Sequence, residues 1–351
     1  MKGYILLADG MRLDGVLAGA AKTALGWLVA NTAVVGFQEM ATDPAYKDRV
    51  LAFTYPEVGN VGITKSFSES ARLQVAGLVV KVLSEYRSHY LSEDSLENML
   101  KRGGVPCLTG VDTRGLAVHM REHGEMPAAI APAETNPDEL RKRLVSLPRP
   151  EFKPTEGPVP QAGDSHKRVA TINLGVRNST VRQLNLCCRT TVLPYNADAK
   201  TVLSSARQGV FVSDGPGGVL PPEETVATIK ALVGRVPLLA CGLGHVALGV
   251  ALGCKAVFLK RGHHGANYPV RNVEHGRVEV TEQRHTVMLD RTSVTENPKV
   301  KLLCENINDS TAEGVRAADG AAIGLQSTLA PAQAGMVNPY IKQFVDSLRE
   351  M

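Results

Sequence analysis

Residues 237–253 read PLLACGLGHVALGVALG. The apolar run from Pro237 to Cys241 predicts a buried strand, and the glycines at 242 and 244 predict a tight turn. The small apolar residues from His245 onward predict a helix. A strand, a sharp turn and a helix in this order form the elbow that presents a nucleophile at a helix N-terminus. The tip of this elbow is Gly242, which has no side chain to present.

The second half of the chain alternates strand and helix patterns from Lys167 onward. Apolar, β-branched runs separated by helical stretches predict a mostly parallel sheet with helices on both faces. Ligands of such sheets bind at the carboxyl ends of the strands. Two segments are expected there, namely the elbow at Gly242 and the loop SDGPGGV from Ser213 to Val219.

The first half of the chain predicts an α+β domain. Three short strands are expected within residues 1–35 and a buried strand at AGLVVKVLS, residues 76–84. Helices are expected at SLENMLKRGG, starting at Ser95, at TRGLAVHMREHG and at NPDELRKRLVSL, with Asn136 as N-cap. Residues 148–166 contain five prolines and predict a linker. The predicted domains are therefore residues 1–147 and 167–351.

Length and composition narrow the class of protein. The 351 residues are enough for about two domains, and the net charge of +4 is spread along the chain, so neither a nucleic-acid nor a membrane partner is expected. No leader-like or bilayer-length apolar segment is visible, which predicts a cytoplasmic protein. The six cysteines show no CxxC spacing, which favours reduced thiols over disulfides or a metal site.

Several motifs resemble one enzyme family. Residues 240–246, ACGLGHV, resemble the nucleophile elbow of class I glutamine amidotransferases, and SDGPGGV resembles their oxyanion loop. Residues 31–62 and GVDTRGLAVHMREHG, residues 110–124, resemble the N-terminal domain of the carbamoyl-phosphate synthase small subunit. The resemblance implies an N-terminal α+β small-subunit domain followed by a flavodoxin-like amidotransferase domain with a mostly parallel sheet.

The same resemblance places the family's catalytic residues on this sequence. The nucleophilic cysteine, the histidine and the glutamate fall on Gly242, Thr328 and Ala330, so no functional catalytic residue is expected. The resemblance also assigns the family's glutamine pocket to eight positions that are spread along this sequence. Only Gly215, Gly217 and Leu243, which would contribute backbone groups, match the family residue. These positions are Ala45, Gly215, Gly217, Leu243, Val246, Arg284, Thr286 and Val287.

Other reactive side chains near these motifs are assigned supporting roles. Cys241 lies one position before the tip, and since strand side chains alternate, its thiol is expected to point away from the pocket. His245 and His285 occupy scaffold positions of the family motifs. His263 and His264 are expected to orient their loop, because no cysteine or carboxylate stands at ligand spacing, and no metal site is predicted.

These observations favour a carbamoyl-phosphate synthase small-subunit homologue without glutaminase activity. It would be a structural or regulatory partner of a large synthetase subunit that uses ammonia and carries the ATP and magnesium, so no cofactor is expected on this chain. Two alternatives stay open. In the first alternative, the chain is a regulatory module whose former glutamine pocket binds another small ligand, with Arg284 as an anion contact. In the second alternative, the chain is an active subunit that hydrolyses glutamine and supplies ammonia for arginine or pyrimidine biosynthesis.

Overall fold

The computed structural model describes residues 1–155, 165–206, 208–331 and 335–348. The chain divides into two compact units. The first comprises Met1–Pro150 with Lys260–Gly265, and the second comprises Glu151–Leu259 with Ala266–Met351. The division after Pro150 lies inside the predicted linker, residues 148–166, of which 156–164 are outside the described residues. None of the helices in the described ranges is both long and apolar enough to cross a bilayer.

The first unit is built on a closed barrel. Its strands are β1 (Lys2–Leu7), β2 (Arg12–Gly19), β3 (Ala24–Asn31), β4 (Arg49–Phe53), β5 (Glu57–Val58), β6 (Gly77–Val79), β7 (Val82–Leu83), β8 (Pro106–Thr109) and β9 (Pro127–Pro132). The barrel order is β1-β2-β8-β6-β4-β3-β9, and β5 pairs with β7 outside it. Alternate side chains such as Ile5, Val50 and Ile130 fill one apolar core, because strand side chains alternate between faces.

Four α-helices cover this barrel, together with short 3-10 turns at Pro44–Tyr46 and Lys65–Phe67. The helices are α1 (Phe37–Thr42), α2 (Leu96–Gly103), α3 (Thr113–His123) and α4 (Pro137–Val145). The predicted caps are confirmed, since the Ser95 side chain accepts from Asn98 N and the Asn136 side chain accepts from Asp138 N and Glu139 N. The predicted single strand at residues 76–84 is wrong. It splits into β6 and β7, because after Val79 the chain leaves the barrel and Val82 N bonds to Pro56 O.

The first unit also holds a buried charged cluster. Arg49, Glu125 and His264 are each less than a tenth exposed. Glu125 Oε1 accepts hydrogen bonds from Gly262 N at 2.7 Å and lies 3.1 Å from His264 Nε2, while Oε2 lies 3.6 Å from Arg49 Nη1. These contacts explain why residues 260–265 group with the first unit, and they give His264 the orienting role expected from the sequence.

The second unit contains a nine-stranded sheet. Its strands are β10 (Arg168–Asn173), β11 (Arg189–Pro194), β12 (Gly209–Val212), β13 (Leu238–Cys241), β14 (Ala256–Asn272), β15 (Val278–Leu289), β16 (Val300–Asn306), β17 (Ala312–Ala317) and β18 (Ala322–Leu325). Its helices are α5 (Asn178–Cys187), α6 (Ala199–Ser205), α7 (Glu223–Leu232), α8 (Leu243–Ala251), α9 (Arg291–Thr295) and α10 (Pro339–Asp346).

The sheet has the order β11-β10-β12-β13-β18-β17-β15-β14-β16. The first five strands pair in parallel, and β17 continues antiparallel to β18. One face packs its core on α6, α7 and α8, and the other packs on α5 and α10. This layered arrangement confirms the predicted α/β fold class. The antiparallel extension formed by β14 to β17 was not predicted from the sequence.

Candidate functional site

The bend between β13 and α8 is the geometric centre of the site. Gly242 has φ 52° and ψ −120°, a left-handed backbone conformation that strongly favours glycine. Its N–H donates to Leu325 O at 2.9 Å, which ties the bend to β18, and its carbonyl accepts from Val246 N at 3.2 Å at the start of α8. The predicted elbow is therefore present with its sharp turn, and its tip carries only hydrogen.

The space at this tip is occupied by Asp214. A Cβ added to Gly242 would lie 2.8 Å from Asp214 Cβ, which is closer than side-chain carbons approach one another. Asp214 Oδ2 accepts from Arg177 Nε at 2.7 Å, and both side chains are more than nine-tenths buried. A side chain at residue 242 would therefore meet the stem of Asp214, whose carboxylate is held in a buried ion pair.

The loop after β12 is bonded to β15 through Gly217. Its carbonyl accepts from Thr286 N at 2.6 Å and from Val287 N at 3.1 Å. A Cβ on Gly217 would lie 1.9 Å from Arg284 O, so only glycine permits this approach. Gly215 is similarly confined, since its Cβ would lie 2.6 Å from Leu174 O. The predicted loop is therefore present at the carboxyl end of β12, and two of its glycines allow close backbone approach.

Arg284 forms a second ion pair beside this loop. Arg284 Nη2 lies 2.5 Å from Glu282 Oε1, and the arginine side chain is almost fully buried. Burial alone would raise the pKa of Glu282. The charge and the hydrogen bond of Arg284, together with the charge of Arg177, have the larger effect, so the pKa of Glu282 lies below its ordinary value. Glu282 is therefore ionised at neutral pH and neutralises Arg284, the residue that the sequence offered as an anion contact.

The positions that the resemblance assigns to the histidine and the glutamate make backbone contacts. Thr328 N donates to Glu282 O at 2.9 Å, and Ala330 N donates to Thr328 O at 2.9 Å. Thr328 is half-buried and Ala330 is exposed. A threonine hydroxyl replaces an imidazole and a methyl group replaces a carboxylate, so neither position supplies a base of suitable pKa. The carboxylates of Asp214 and Glu282 each face an arginine instead.

The side chain of Cys241 lies on the face of the sheet opposite to the one that packs against α8. It belongs to the apolar core with Leu239 and Leu325, against α5 and α10, whereas Ala240 and Leu243 belong to the core under α8. This placement confirms that the thiol points away from the elbow, as the alternation of strand side chains requires. Cys241 is fully buried.

His245 packs beneath the elbow in the first turn of α8. It is fully buried, and a Cβ on Gly324 would lie 2.7 Å from its Nδ1. Burial lowers the pKa of His245 to about 4, and the backbone of Gly324 offsets only part of this effect. The imidazole is neutral at physiological pH and serves as a packing group, in line with the scaffold role expected of it.

The low pKa of His245 predicts acid sensitivity of the second unit. Between pH 6.5 and pH 4 the unfolded chain binds a proton that the folded chain does not, so stability falls as the pH drops through this window. We expect His245 to account for a loss of about 2 kcal/mol between pH 8 and pH 5. Urea unfolding at both pH values measures this loss.

The variant His245→Gln should show a pH dependence smaller by that amount. His275→Gln is the matched control, since His275 is exposed, and it should leave the pH dependence unchanged. Burial also lowers the pKa of His264 in the first unit, so part of the dependence should persist in His245→Gln. An unaltered pH profile in that variant would contradict the role given to His245.

The remaining site positions lie in packed structure. Val246 and Val287 are buried in the apolar core that includes Leu243. Ala45 is buried in the 3-10 turn Pro44–Tyr46 of the first unit. His285 Nδ1 lies 3.2 Å from Val287 O, which makes it a support for β15.

Two residues at the centre of the site, Arg177 and Asp214, were missed from the sequence. The only signal in the sequence was the aspartate of SDGPGGV, which stands beside the glycines of that loop.

Comparisons with known proteins agree with this architecture. The family model for the carbamoyl-phosphate synthase small chain, CPSase domain, matches residues 5–130, and that for class-I glutamine amidotransferase matches residues 171–327. A carbamoyl phosphate synthase small chain from Methanopyrus kandleri is 36% identical over 93% of both chains. This chain belongs to the carbamoyl-phosphate synthase small-chain family.

Other relatives extend the comparison. The carbamoyl phosphate synthase small chain of Staphylococcus epidermidis is 34% identical over 90% of this chain and 87% of its own length. Among solved structures, a glutamine amidotransferase from Thermotoga maritima is similar at 19% identity and a TM-score of 0.39, covering 47% of this chain and 76% of that one. Family membership confirms the resemblance found in the sequence.

Proposed function

We propose that this small-chain family member does not hydrolyse glutamine and acts as the structural or regulatory partner of a synthetase subunit that uses ammonia. One observation carries the proposal, namely the elbow tip at Gly242, which offers no nucleophile. Amide hydrolysis through a covalent intermediate needs an activated nucleophile, and the positions assigned to its histidine and carboxylate partners hold Thr328 and Ala330.

The packing around the elbow supports the same proposal. The Arg177–Asp214 pair is buried directly at the tip, and the Arg284–Glu282 pair lies beside the oxyanion loop. Glutamine would have to displace charged groups that already satisfy one another, at an unfavourable desolvation free energy. Cys241, buried in the core on the other face of the sheet, does not reach this side.

The partner is inferred from the family. The relatives are named small chains, and the CPSase-domain model covers most of the first unit, which the resemblance implies is the docking domain. The large subunit would bind the ATP and magnesium, and the complex would be a cytoplasmic heteromer. A loss of glutaminase chemistry leaves such a docking role intact, because the barrel and the sheet are both complete in the described residues.

The two other functions are less well supported. Arg284 as an anion contact requires a guanidinium available to a ligand, but Glu282 lies 2.5 Å from it. An active glutaminase requires a nucleophile on the pocket side of β13, where Gly242 stands. Neither observation favours these alternatives, so we retain the structural or regulatory role.

Co-purification with a carbamoyl-phosphate synthase large chain tests this function. Full-length tagged chain, co-expressed with the large chain, should elute with it as one complex in size-exclusion chromatography. The complex should make carbamoyl phosphate from ammonium chloride but not from glutamine. A small chain with an intact cysteine, histidine and glutamate is the control, and it should support both reactions. Failure to bind the large chain would exclude the partner role, whatever the outcome with glutamine.

A further inference from the structure

A cavity of about 920 Å³ lies in the second unit, away from the elbow. It is lined by residues at the amino ends of two neighbouring parallel strands, including Leu238 and Leu239 of β13 and Ile323 of β18. Gly242 follows the carboxyl end of β13, so the cavity and the elbow are at opposite ends of the same strand. Since α/β sheets bind ligands at their carboxyl ends, this cavity is separate from the inherited glutamine site.

One face of α10 forms a wall of this cavity. Tyr340, Gln343, Phe344 and Ser347 all line it, at the spacing that places residues on one side of a helix. The two aromatic side chains come from neighbouring turns, while the amide and the hydroxyl lie nearer to solvent. Phe344 is buried in the apolar core with Leu239, so the wall offers the partly exposed ring of Tyr340 together with hydrogen-bonding groups.

Both charged residues among the described residues that line the cavity are arginines. These are Arg235 and Arg316, and no Asp or Glu is among the described lining residues, although the carboxylate of Asp319 lies close to Gly234, which lines the cavity. Arg235 Nη1 makes a long hydrogen bond of 3.4 Å to Ala231 O, and its side chain is exposed. Arg316 Nη1 lies 2.8 Å from Glu274 Oε1, and both side chains are about a third exposed. Such solvent-screened pairs are weak, so a dianionic ligand can compete for Arg316.

We propose that this cavity binds a phosphate monoester with an aromatic body. The volume falls within the range of about 300–1,000 Å³ that is usual for small-molecule sites. Guanidinium groups bind phosphate oxygens by paired, charge-assisted hydrogen bonds. Tyr340, which is partly exposed, provides the aromatic contact for the body of the ligand. This site is independent of the proposed partner role, because it uses neither the elbow nor the barrel.

Isothermal titration calorimetry on the full chain tests the site. The probes are adenosine monophosphate, adenosine and inorganic phosphate, each at low and at moderate salt. We expect the monophosphate to bind at least about tenfold more tightly than either adenosine or phosphate, with an affinity that falls as salt rises. Equal affinity for phosphate alone would contradict a role for the aromatic wall, and absence of binding by all three probes would overturn the proposal.

Variants locate the binding. Arg235→Gln and Arg316→Gln should each weaken monophosphate binding by about tenfold or more, since each removes a charge-assisted contact. Gln343→Trp should block the cavity from an exposed helix position without disturbing the core. Arg189→Gln is the matched control, because Arg189 is exposed at the start of β11, outside the cavity lining, and should bind as the parent does. Binding that survives all three cavity substitutions would place the ligand elsewhere.

Discussion

Incubated with L-glutamine, the purified chain should release no ammonia above the uncatalysed background, with or without a large synthetase subunit. Removal of triad members from comparable hydrolases lowers turnover on the order of 10⁴- to 10⁶-fold, and here the three positions that the resemblance assigns to the triad hold Gly242, Thr328 and Ala330. A coupled glutamate dehydrogenase assay measures the ammonia released. We expect turnover at least about 10⁴-fold below that of a family member with an intact triad.

Two variants make this result specific. Gly242→Cys should not gain activity, because the new Cβ would meet Asp214 Cβ at 2.8 Å and no histidine stands at Thr328. Cys241→Ser should not alter the background, since Cys241 is buried on the other face of the sheet. Turnover in the parent chain that Cys241→Ser abolishes would show that the neighbouring thiol has taken over the reaction, and the proposed loss of glutaminase chemistry would then be wrong.

Asp214→Asn should destabilise the second unit by about 3 kcal/mol or more. The substitution leaves the buried guanidinium of Arg177 without its charged partner, and removing one member of a buried pair costs about 3–5 kcal/mol. We expect the lower part of this range, because the charge of Glu282 also acts on Arg177. Urea unfolding of the full chain, followed by circular dichroism, measures the change in the free energy of unfolding.

An exposed ion pair of the same unit provides the control. Lys342 and Asp346 lie 3.1 Å apart with side chains 66% and 62% exposed, so Asp346→Asn should change stability by less than about 1 kcal/mol. The double variant Arg177→Met with Asp214→Leu should recover much of the loss, since it removes both buried charges. If Asp214→Asn proved as mild as Asp346→Asn, the pair would not be the element that holds the loop at the elbow.

Local patterns in the sequence were sufficient for the parallel half of the sheet and for some of the helix starts. Caps such as Ser95 and Asn136 act within one turn of the chain, so a single sequence reveals them. The antiparallel extension was not predicted, because β14 mixes charged, aromatic and glycine residues without a period of two. Closure of the barrel likewise depends on pairing β1 with β9, more than a hundred positions away.

The elbow could be located from sequence, but its surroundings could not. The turn at Gly242 follows from adjacent residues, and its φ of 52° agrees with the glycine found there. The Arg177–Asp214 pair joins residues 37 positions apart, and no spacing rule connects them. Arg284 was considered as a ligand contact because Glu282, two positions earlier, was not identified as its partner.

The return of residues 260–265 to the first unit has a consequence for how the protein is made. Glu125 receives two of its contacts from Gly262 and His264, which are synthesised long after the barrel strands. Until that segment has left the ribosome, Glu125 and Arg49 lack these contacts in the nascent barrel. The buried charged cluster can therefore form only after residues 151–259 of the second unit have been synthesised. A fragment that ends at Pro150 should therefore be less stable than the barrel of the whole chain.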